Sequence, residues 1–201
     1  MKKIILLAIS FCLILSGCYV NSKVITDLEG DYKSLSSDFN EVADSYAEDI
    51  SSHSDLGYNS ADKSGNMFMN LKSGATIEVL LYMDESSNTK YTVTYSIDLN
   101  GYNTDVAYLN VPSEDRELLC SMVNAFSRET LGEHNLNSAI EIPASVVESI
   151  KDKSYQEEVH NSTESFPNMF VPNIKIEHQI LSINPETSSF IETVNIHGEI
   201  K

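Results

Sequence analysis

The stretch that decides the fold is YTVTYSIDL, residues 91–99. Apolar and polar side chains alternate along it, a period of two that is typical of a β-strand with one buried face. The side chains expected to face inward are Tyr91, Val93, Tyr95, Ile97 and Leu99. Asn100-Gly101 follows directly and is a strong hairpin signal. We therefore expect an antiparallel sheet built outward from this strand.

Other segments near this strand share its period of two. Residues 67–71 and 77–83 alternate before it, and residues 106–111 complete the set after it. Turn-forming residues at 72–74 and 84–88 separate the earlier strands. Short turns between consecutive strands predict a four-stranded antiparallel meander. One face of that meander is apolar and needs a cover.

The segment before the meander has a helical period instead. Its apolar residues recur at spacings of three and four, which predicts an amphipathic helix from about Asp31 to Ile50. The stripe consists of Leu28, Tyr32, Leu35, Phe39, Val42, Tyr46 and Ile50. A coiled-coil seam is the alternative, but about three heptads without complementary flanking charges are a short run for one. We favour packing on the chain's own sheet.

Two further helices are expected after the meander. The second opens at Pro112-Ser113, with Ser113 as the expected N-cap and acidic residues suited to the positive end of the helix dipole. Gly132 is its expected stop. A third helix is expected to begin near Pro143, a residue that fits a first helical position, and to fray among charged residues at 151–158.

Two polar segments are expected to be irregular. Residues 51–66 are rich in Ser, Asp, Gly and Asn, but neither Asp55 nor Asp62 begins a sequence with the EF-hand spacing, so a solvated loop is favoured over a calcium site. Residues 160–172 are polar, and whether their apolar members pack on the core is open.

The chain ends in a predicted β-hairpin. Residues 174–180 alternate, a phase shift at Leu181–Ile183 suggests a bulge, and residues 190–200 return after a turn. The pattern leaves open whether this hairpin extends the meander or forms its own sheet. Residues 27–201 are thus expected to form a single α+β domain with an N-terminal amphipathic helix, a four-stranded antiparallel meander, two helices and a C-terminal β-hairpin.

The N-terminus carries the most specific signal. Two lysines precede an apolar run from Ile4 to Leu15, and Leu15-Ser16-Gly17-Cys18 closes it. These residues resemble the signal peptide and lipobox of a bacterial lipoprotein, a resemblance confined to the first 18 residues. It implies diacylglyceryl transfer to the sulfur of Cys18 and cleavage between Gly17 and Cys18. Residues 1–17 would be the signal peptide, and residues 18–26 the lipidated cysteine and a tether.

Two alternatives for this segment are less favoured. A transmembrane anchor needs about 20 apolar residues, and this run has 12 before Ser16. A plain secretory peptide would leave the cysteine directly after Ser-Gly as a coincidence. We therefore expect an exported chain held at the cell membrane by lipid.

Charge limits the classes of binding partner, and cysteine content limits the disulfides that the chain can form. Without the signal peptide, 184 residues carry 11 basic and 30 acidic side chains, a formal net charge of −19. This argues against nucleic acid as a partner and against a basic membrane-binding patch. After loss of Cys12 and lipidation of Cys18, Cys120 is alone, so no disulfide can form within the mature chain, and its apolar neighbours predict a buried thiol.

No catalytic or metal-binding pattern stands out. The five histidines, His53, His134, His160, His178 and His197, lack zinc-ligand spacing. If Ser182 pairs with Phe190, His178 lies opposite Val194 and His197 opposite Lys175, which separates the two imidazoles. Nucleophile-elbow, Walker and dinucleotide-binding motifs do not occur. We expect no catalytic residue, metal or cofactor.

These observations favour a non-enzymatic, lipid-anchored envelope protein that binds another envelope protein or a ligand at the membrane surface. A membrane-tethered hydrolase of unrecognised type is the alternative, and a histidine beside a carboxylate in a deep pocket would support it. A two-lobed solute receptor is less favoured because 184 residues is short for one.

The lipobox interpretation predicts the effect of Cys18→Ala. Without its thiol, position 18 cannot accept the diacylglyceryl group, so the chain should leave the membrane fraction or stay unprocessed. Fractionation and intact-mass measurement test this. Normal processing with full membrane retention would refute the interpretation.

Overall fold

The computed structural model describes residues 30, 32–55, 57–86, 88–99, 111–127, 130–145, 158–168, 171–184 and 189–200. The predicted signal peptide, Gly17, Cys18 and the tether lie outside these residues. So do most of the predicted strand at 106–111 and most of the predicted third helix, of which residues 144–145 are helical.

Eight strands in the described residues form one antiparallel sheet. The strands are β1 (Ile50–His53), β2 (Gly57–Asn59), β3 (Ser64–Leu71), β4 (Thr76–Met83), β5 (Thr89–Leu99), β6 (Glu158–Asn168), β7 (Val171–Asn184) and β8 (Ser189–Glu199). Their order across the sheet is β1-β3-β4-β5-β8-β7-β6. Both β1 and β2 pair with β3, at opposite ends of it, so together they form one interrupted edge.

Three helices in the described part of the chain cover one face of this sheet. They are α1 (residues 32–45), α2 (Ser113–Phe126) and α3 (Glu133–Ala139). Each contributes buried apolar residues to one core: Leu35, Phe39 and Ala43 from α1, Leu118, Leu119, Met122 and Val123 from α2, and Leu136 and Ala139 from α3. The architecture is therefore a two-layer α+β fold, as the sequence predicts.

The strand registers align the apolar side chains in rows. One row runs across five strands and contains Met67, Val79, Val93, Ile196 and Ile176. Each of these side chains is at most 2% exposed. Because side chains alternate between the faces of a strand, a shift of one residue in any strand would turn its apolar members to solvent. The inner row therefore specifies the register.

The predicted meander is confirmed for β3, β4 and β5. The prediction that the next strand along the chain follows β5 in the sheet is wrong. The edge of β5 that faces away from β4 pairs with β8. This pairing covers ten residue pairs, from Lys90–Glu199 to Leu99–Phe190. Asn100-Gly101 indicates only a local chain reversal, whereas the neighbour of β5 is set by a distant strand with a matching pattern. The C-terminal hairpin thus extends the meander, which answers the question left open by its sequence.

Two predicted loops contain strands. The predicted loop at 51–66 holds most of β1, all of β2 and the start of β3, and the polar segment at 160–172 lies largely within β6. The predicted first helix ends at residue 45, and Ile50 begins β1. Edge strands are paired on one side only and need no regular apolar period, so a pattern search misses them.

The predicted helix ends also change. The N-cap of α2 is Pro112 without a side-chain hydrogen bond, and the Ser113 hydroxyl bonds to Glu114 instead. Gly132 is the N-cap of α3 and not the stop of α2, which ends at Phe126. The predicted bulge is confirmed by a register shift between Ser182 and Asn184.

Burial of α1 predicts the effect of Phe39→Asp. Phe39 is 1% exposed within the core, so a carboxylate there loses its hydration without gaining a partner. We expect destabilisation of more than about 3 kcal/mol, measured by urea unfolding. Asn40→Asp adds the same charge at an exposed position of the same helix and should leave stability nearly unchanged. Equal effects of both substitutions would show that the stripe is not part of the core.

Candidate binding surface

The helices leave the second face of the sheet open. We call this surface the open face, and it carries the outward side chains of β3, β4, β5, β8 and β7. Its members include Phe68, Glu78, Leu80, Thr92, Thr94, Asn195, His197, Lys175 and Glu177. They are exposed or half-buried, whereas the inward residues beside them on the same strands are buried.

Hydrogen bonds between strands order the centre of the open face. The Thr94 hydroxyl donates to Oδ1 of Asn195 at 2.8 Å. The Thr92 hydroxyl lies 2.9 Å from Nδ1 of His197. These pairs sit directly opposite one another on β5 and β8. Cross-strand bonds of this kind hold the side chains in one arrangement, so the surface is preorganised.

The network continues onto β7. Nε2 of His197 lies 3.6 Å from Oε2 of Glu177, and the ammonium of Lys175 donates to the other Glu177 oxygen at 2.5 Å. The hydrogen bond from Lys175 is the largest cause of a lowered pKa for Glu177. Glu177 is therefore a carboxylate at neutral pH, and a cationic partner group would compete with Lys175 for it.

Thr92, His197 and Glu177 form a hydroxyl–imidazole–carboxylate line, the order of groups used by hydrolytic triads. Such a site also needs donors that stabilise an oxyanion. Here the three residues lie on β5, β8 and β7, each of which pairs with a strand on both sides, so their backbone N–H groups serve the ladders. The line suits binding better than catalysis.

Two large apolar side chains interrupt the polar character of the open face. Phe68 is 43% exposed and Leu80 is 40% exposed. Phe68 pairs with Glu78, two residues from Leu80 on β4, so Phe68 and Leu80 are diagonal neighbours on one face. Exposed aromatic and aliphatic groups beside polar ones are typical of contact surfaces in proteins.

The inner face holds a buried polar cluster beneath α2. The Tyr95 hydroxyl and the Ser73 hydroxyl each donate to Oδ2 of Asp115 at 2.8 Å. Burial raises the pKa of Asp115 and of Tyr95, while the two hydroxyl donors act to lower the pKa of Asp115. These bonds tie the first turn of α2 to β5 and to the turn after β3. The cluster is enclosed and positions α2.

A second buried polar pair lies on β7 and β8. Nε2 of His178 and Oε1 of Glu192 are 2.8 Å apart, and both side chains are 0% exposed. Burial lowers the pKa of His178 to about 4 and raises that of Glu192 to about 8. Burial thus disfavours the charged form of each group, and one proton held between them leaves the pair without net charge. The second oxygen of Glu192 has no hydrogen-bond partner in the described structure.

The structure separates the histidines as the sequence predicts. Ser182 pairs with Phe190, His178 with Val194 and His197 with Lys175, which confirms the proposed register. His178 is buried on the inner face, whereas His197 is half-buried on the open face. His53 and His134 are exposed on other elements, and of His160 only the backbone, in β6, is described. The described residues contain no group of three or more His, Cys, Asp or Glu able to hold a metal.

Sequence reasoning missed the partner of His178. The register that it considered places Glu192 two residues from Val194, on the same face and diagonal to His178. That signal was present in the pattern. By contrast, the contact between Tyr95 and Asp115 depends on how α2 lies across the sheet, which no local pattern encodes.

Cys120 is buried, as predicted. Its exposed fraction is 6%, and burial raises the pKa of its thiol to about 11. A thiol with a raised pKa is mostly protonated at neutral pH and is a poor nucleophile. This environment supports the structural interpretation of Cys120.

The helical side carries a groove between α1 and α2 of about 620 Å³. Its lining residues are Asp38, Glu41, Val42, Ser45, Tyr46, Ser121, Asn124 and Ala125. Tyr46 and Ser121 close its floor with a 2.7 Å hydrogen bond between their hydroxyls. Its described lining contains carboxylates but no histidine, so these residues do not supply the pocket that a histidine-dependent hydrolase requires.

No protein-family model, curated protein or solved structure matches the chain. Among the helices in the described residues, none combines the length and the apolar character needed to cross a bilayer.

The buried cluster predicts the effect of Tyr95→Phe. The substitution keeps the ring but removes one of the two hydroxyl donors to buried Asp115, so we expect destabilisation of about 1–3 kcal/mol in urea unfolding. Tyr82→Phe, on the open side of β4, should change stability by less than about 0.5 kcal/mol. A harmless Tyr95→Phe would show that the bond to Asp115 does not position α2.

Proposed function

We propose that this chain is a lipid-anchored protein of the bacterial cell envelope that binds another envelope protein through the open face of its sheet. The observation that carries the proposal is the exposed pair Phe68 and Leu80 beside a preorganised polar network. The lipobox at Leu15–Cys18 supports the location. A short tether then keeps the domain close to the membrane.

Three properties of the open face support a protein partner. Phe68 offers a large aromatic group, a type enriched where binding energy concentrates. The network around His197 and Asn195 supplies hydrogen-bonding groups without a deep cavity. Opposite charges lie side by side on the face, as in the ion pairs of Lys175 with Glu177 and Lys90 with Glu199. A surface of mixed charged, polar and apolar groups suits a folded partner better than a small solute.

The net charge of the chain indicates which charge its partner protein carries. A formal net charge of −19 for the mature chain opposes close approach of a second copy. It equally opposes a strongly acidic partner. A neutral or basic envelope protein therefore fits the surface best.

The second candidate is a membrane-tethered hydrolase. Its one favourable observation is the line of Thr92, His197 and Glu177 on the open face. The hydrolase is less supported, because the hydrogen bonds between strands occupy the backbone N–H groups that an oxyanion would need.

Site-specific photo-cross-linking in the native membrane tests the binding face. A photoreactive amino acid at position 68 or 80 of the lipidated chain should capture one recurrent protein. The same group at position 40, exposed on α1, should not capture it. Capture from position 40 alone, or from none of the three positions, would contradict the proposal.

A matched substitution completes the test. Phe68→Ser combined with Leu80→Ser should abolish capture of that protein by a cross-linker at position 94, on β5 of the same face. Because both side chains are about 40% exposed, urea stability should change little. Loss of capture with loss of folding would instead show that the pair supports the structure.

A further inference from the structure

The pair His178 and Glu192 has an unusual location for two titratable groups. His178 lies on β7 and Glu192 on β8, diagonal to each other on the inner face. Both side chains are fully buried, with 2.8 Å between Nε2 and Oε1. The even-numbered positions beside Glu192 on β8 are apolar and buried, namely Phe190, Val194 and Ile196. A charge on either member of the pair would therefore lie in the core.

The described neighbours of Glu192 bring little compensating charge. From β5, Tyr95 faces Glu192, but its hydroxyl donates to Asp115 on α2. From α3, which packs against β7, Glu133 and His134 point to solvent. Among the described residues, no Lys or Arg forms an ion pair with Glu192. Glu192 therefore has no cationic partner among the described residues, and one proton held between it and His178 leaves the pair without net charge.

We propose that His178 and Glu192 act as one proton-holding unit that keeps β7 and β8 packed in mildly acidic surroundings and weakens this packing as the surroundings become alkaline. The unit is a property of the fold and does not depend on the lipid anchor. For a domain on the exported side of the membrane, the pH outside the cytoplasm would set its state.

The sign of the effect follows from proton counting. In the unfolded chain Glu loses its proton near pH 4.5 and His near pH 6.5, whereas in the folded chain the pKa of Glu192 is about 8 and that of His178 about 4. Between pH 4.5 and 6.5 unfolding frees one proton from Glu192 and binds one at His178, so the unfolding constant is flat. Above pH 6.5 unfolding only releases the proton of Glu192, because His178 is then neutral in both states. Stability therefore falls as pH rises through 8.

Two neutral substitutions separate the members of the pair. The pair by itself should raise the wild-type unfolding constant roughly twentyfold from pH 5.5 to pH 9. Glu192→Gln leaves only the imidazole, which is protonated in the unfolded chain alone, so the constant should instead fall about tenfold over that range. His178→Gln leaves only the buried carboxyl group, and the constant should rise about two hundredfold.

The test is urea unfolding of the mature lipidated protein in detergent micelles at a series of pH values. Each variant is compared with wild type at the same pH, because Asp115 and other groups common to all variants then cancel. Glu78→Gln and His134→Gln, both at exposed positions, should follow the wild-type profile. The reversed slope of Glu192→Gln is the signature that a merely structural pair would not produce.

Two outcomes would overturn the proposal. One is a Glu192→Gln variant whose unfolding constant, divided by that of wild type at the same pH, does not fall between pH 5.5 and 9. The other is a wild-type constant that does not change over this range, which decides the matter even if a variant fails to fold. Hydrogen exchange of β7 and β8 amides in the wild type, corrected for intrinsic rates, should show the same alkaline loss of protection.

Discussion

The fold depends on the pairing of β5 with β8. Ten residue pairs join the two strands, and they bring together segments about 100 residues apart in sequence. On one side of this joint lies the meander of β3, β4 and β5, and on the other lies the hairpin of β7 and β8 with β6. Without the joint each half would end in a long unpaired edge, a site for pairing with other chains. The joint makes one sheet of both halves.

The same pairing decides which side chains are buried. Once β8 is in register with β5, the two-residue period sends Phe190, Val194 and Ile196 inward, and it sends Glu192 inward with them. The register of β7 does the same for His178. Burial of either residue alone would be unfavourable, because an isolated ionised group loses its hydration in the core. Next to each other they satisfy one hydrogen bond and stay neutral together.

The two faces of the sheet consequently have different roles. The inner face is filled by three helices and fixed by apolar rows, by the bonds of Asp115 and by the neutral pair of His178 and Glu192. The open face has its polar groups already bonded to one another, and it leaves Phe68 and Leu80 exposed. A rigid sheet that is stabilised from behind can present such a surface without reorganising. This division supports a binding role more readily than a catalytic one.

Much of the local structure follows from the sequence alone. The alternation in residues 67–71, 77–83 and 91–99 determined the meander strands and their inward faces, because a pleated strand has a fixed period of two. The helical stripe through Leu35 and Phe39 determined the buried side of α1. The phase shift at Leu181–Ile183 located the bulge. The resemblance to a lipobox and the acidic composition are features that the sequence alone supplies.

Only the tertiary structure decided how these pieces meet. It placed β8 beside β5 where a fourth meander strand was expected, and it made strands of β1, β2 and β6, whose sequences show no clear period. It also created the contact of Tyr95 with Asp115 and the exposure of the open face. The physical reason is common to all of them. Pairing between distant strands and packing of helices across a sheet depend on the whole set of surfaces to be buried, whereas a sequence pattern reports only the face that each segment offers.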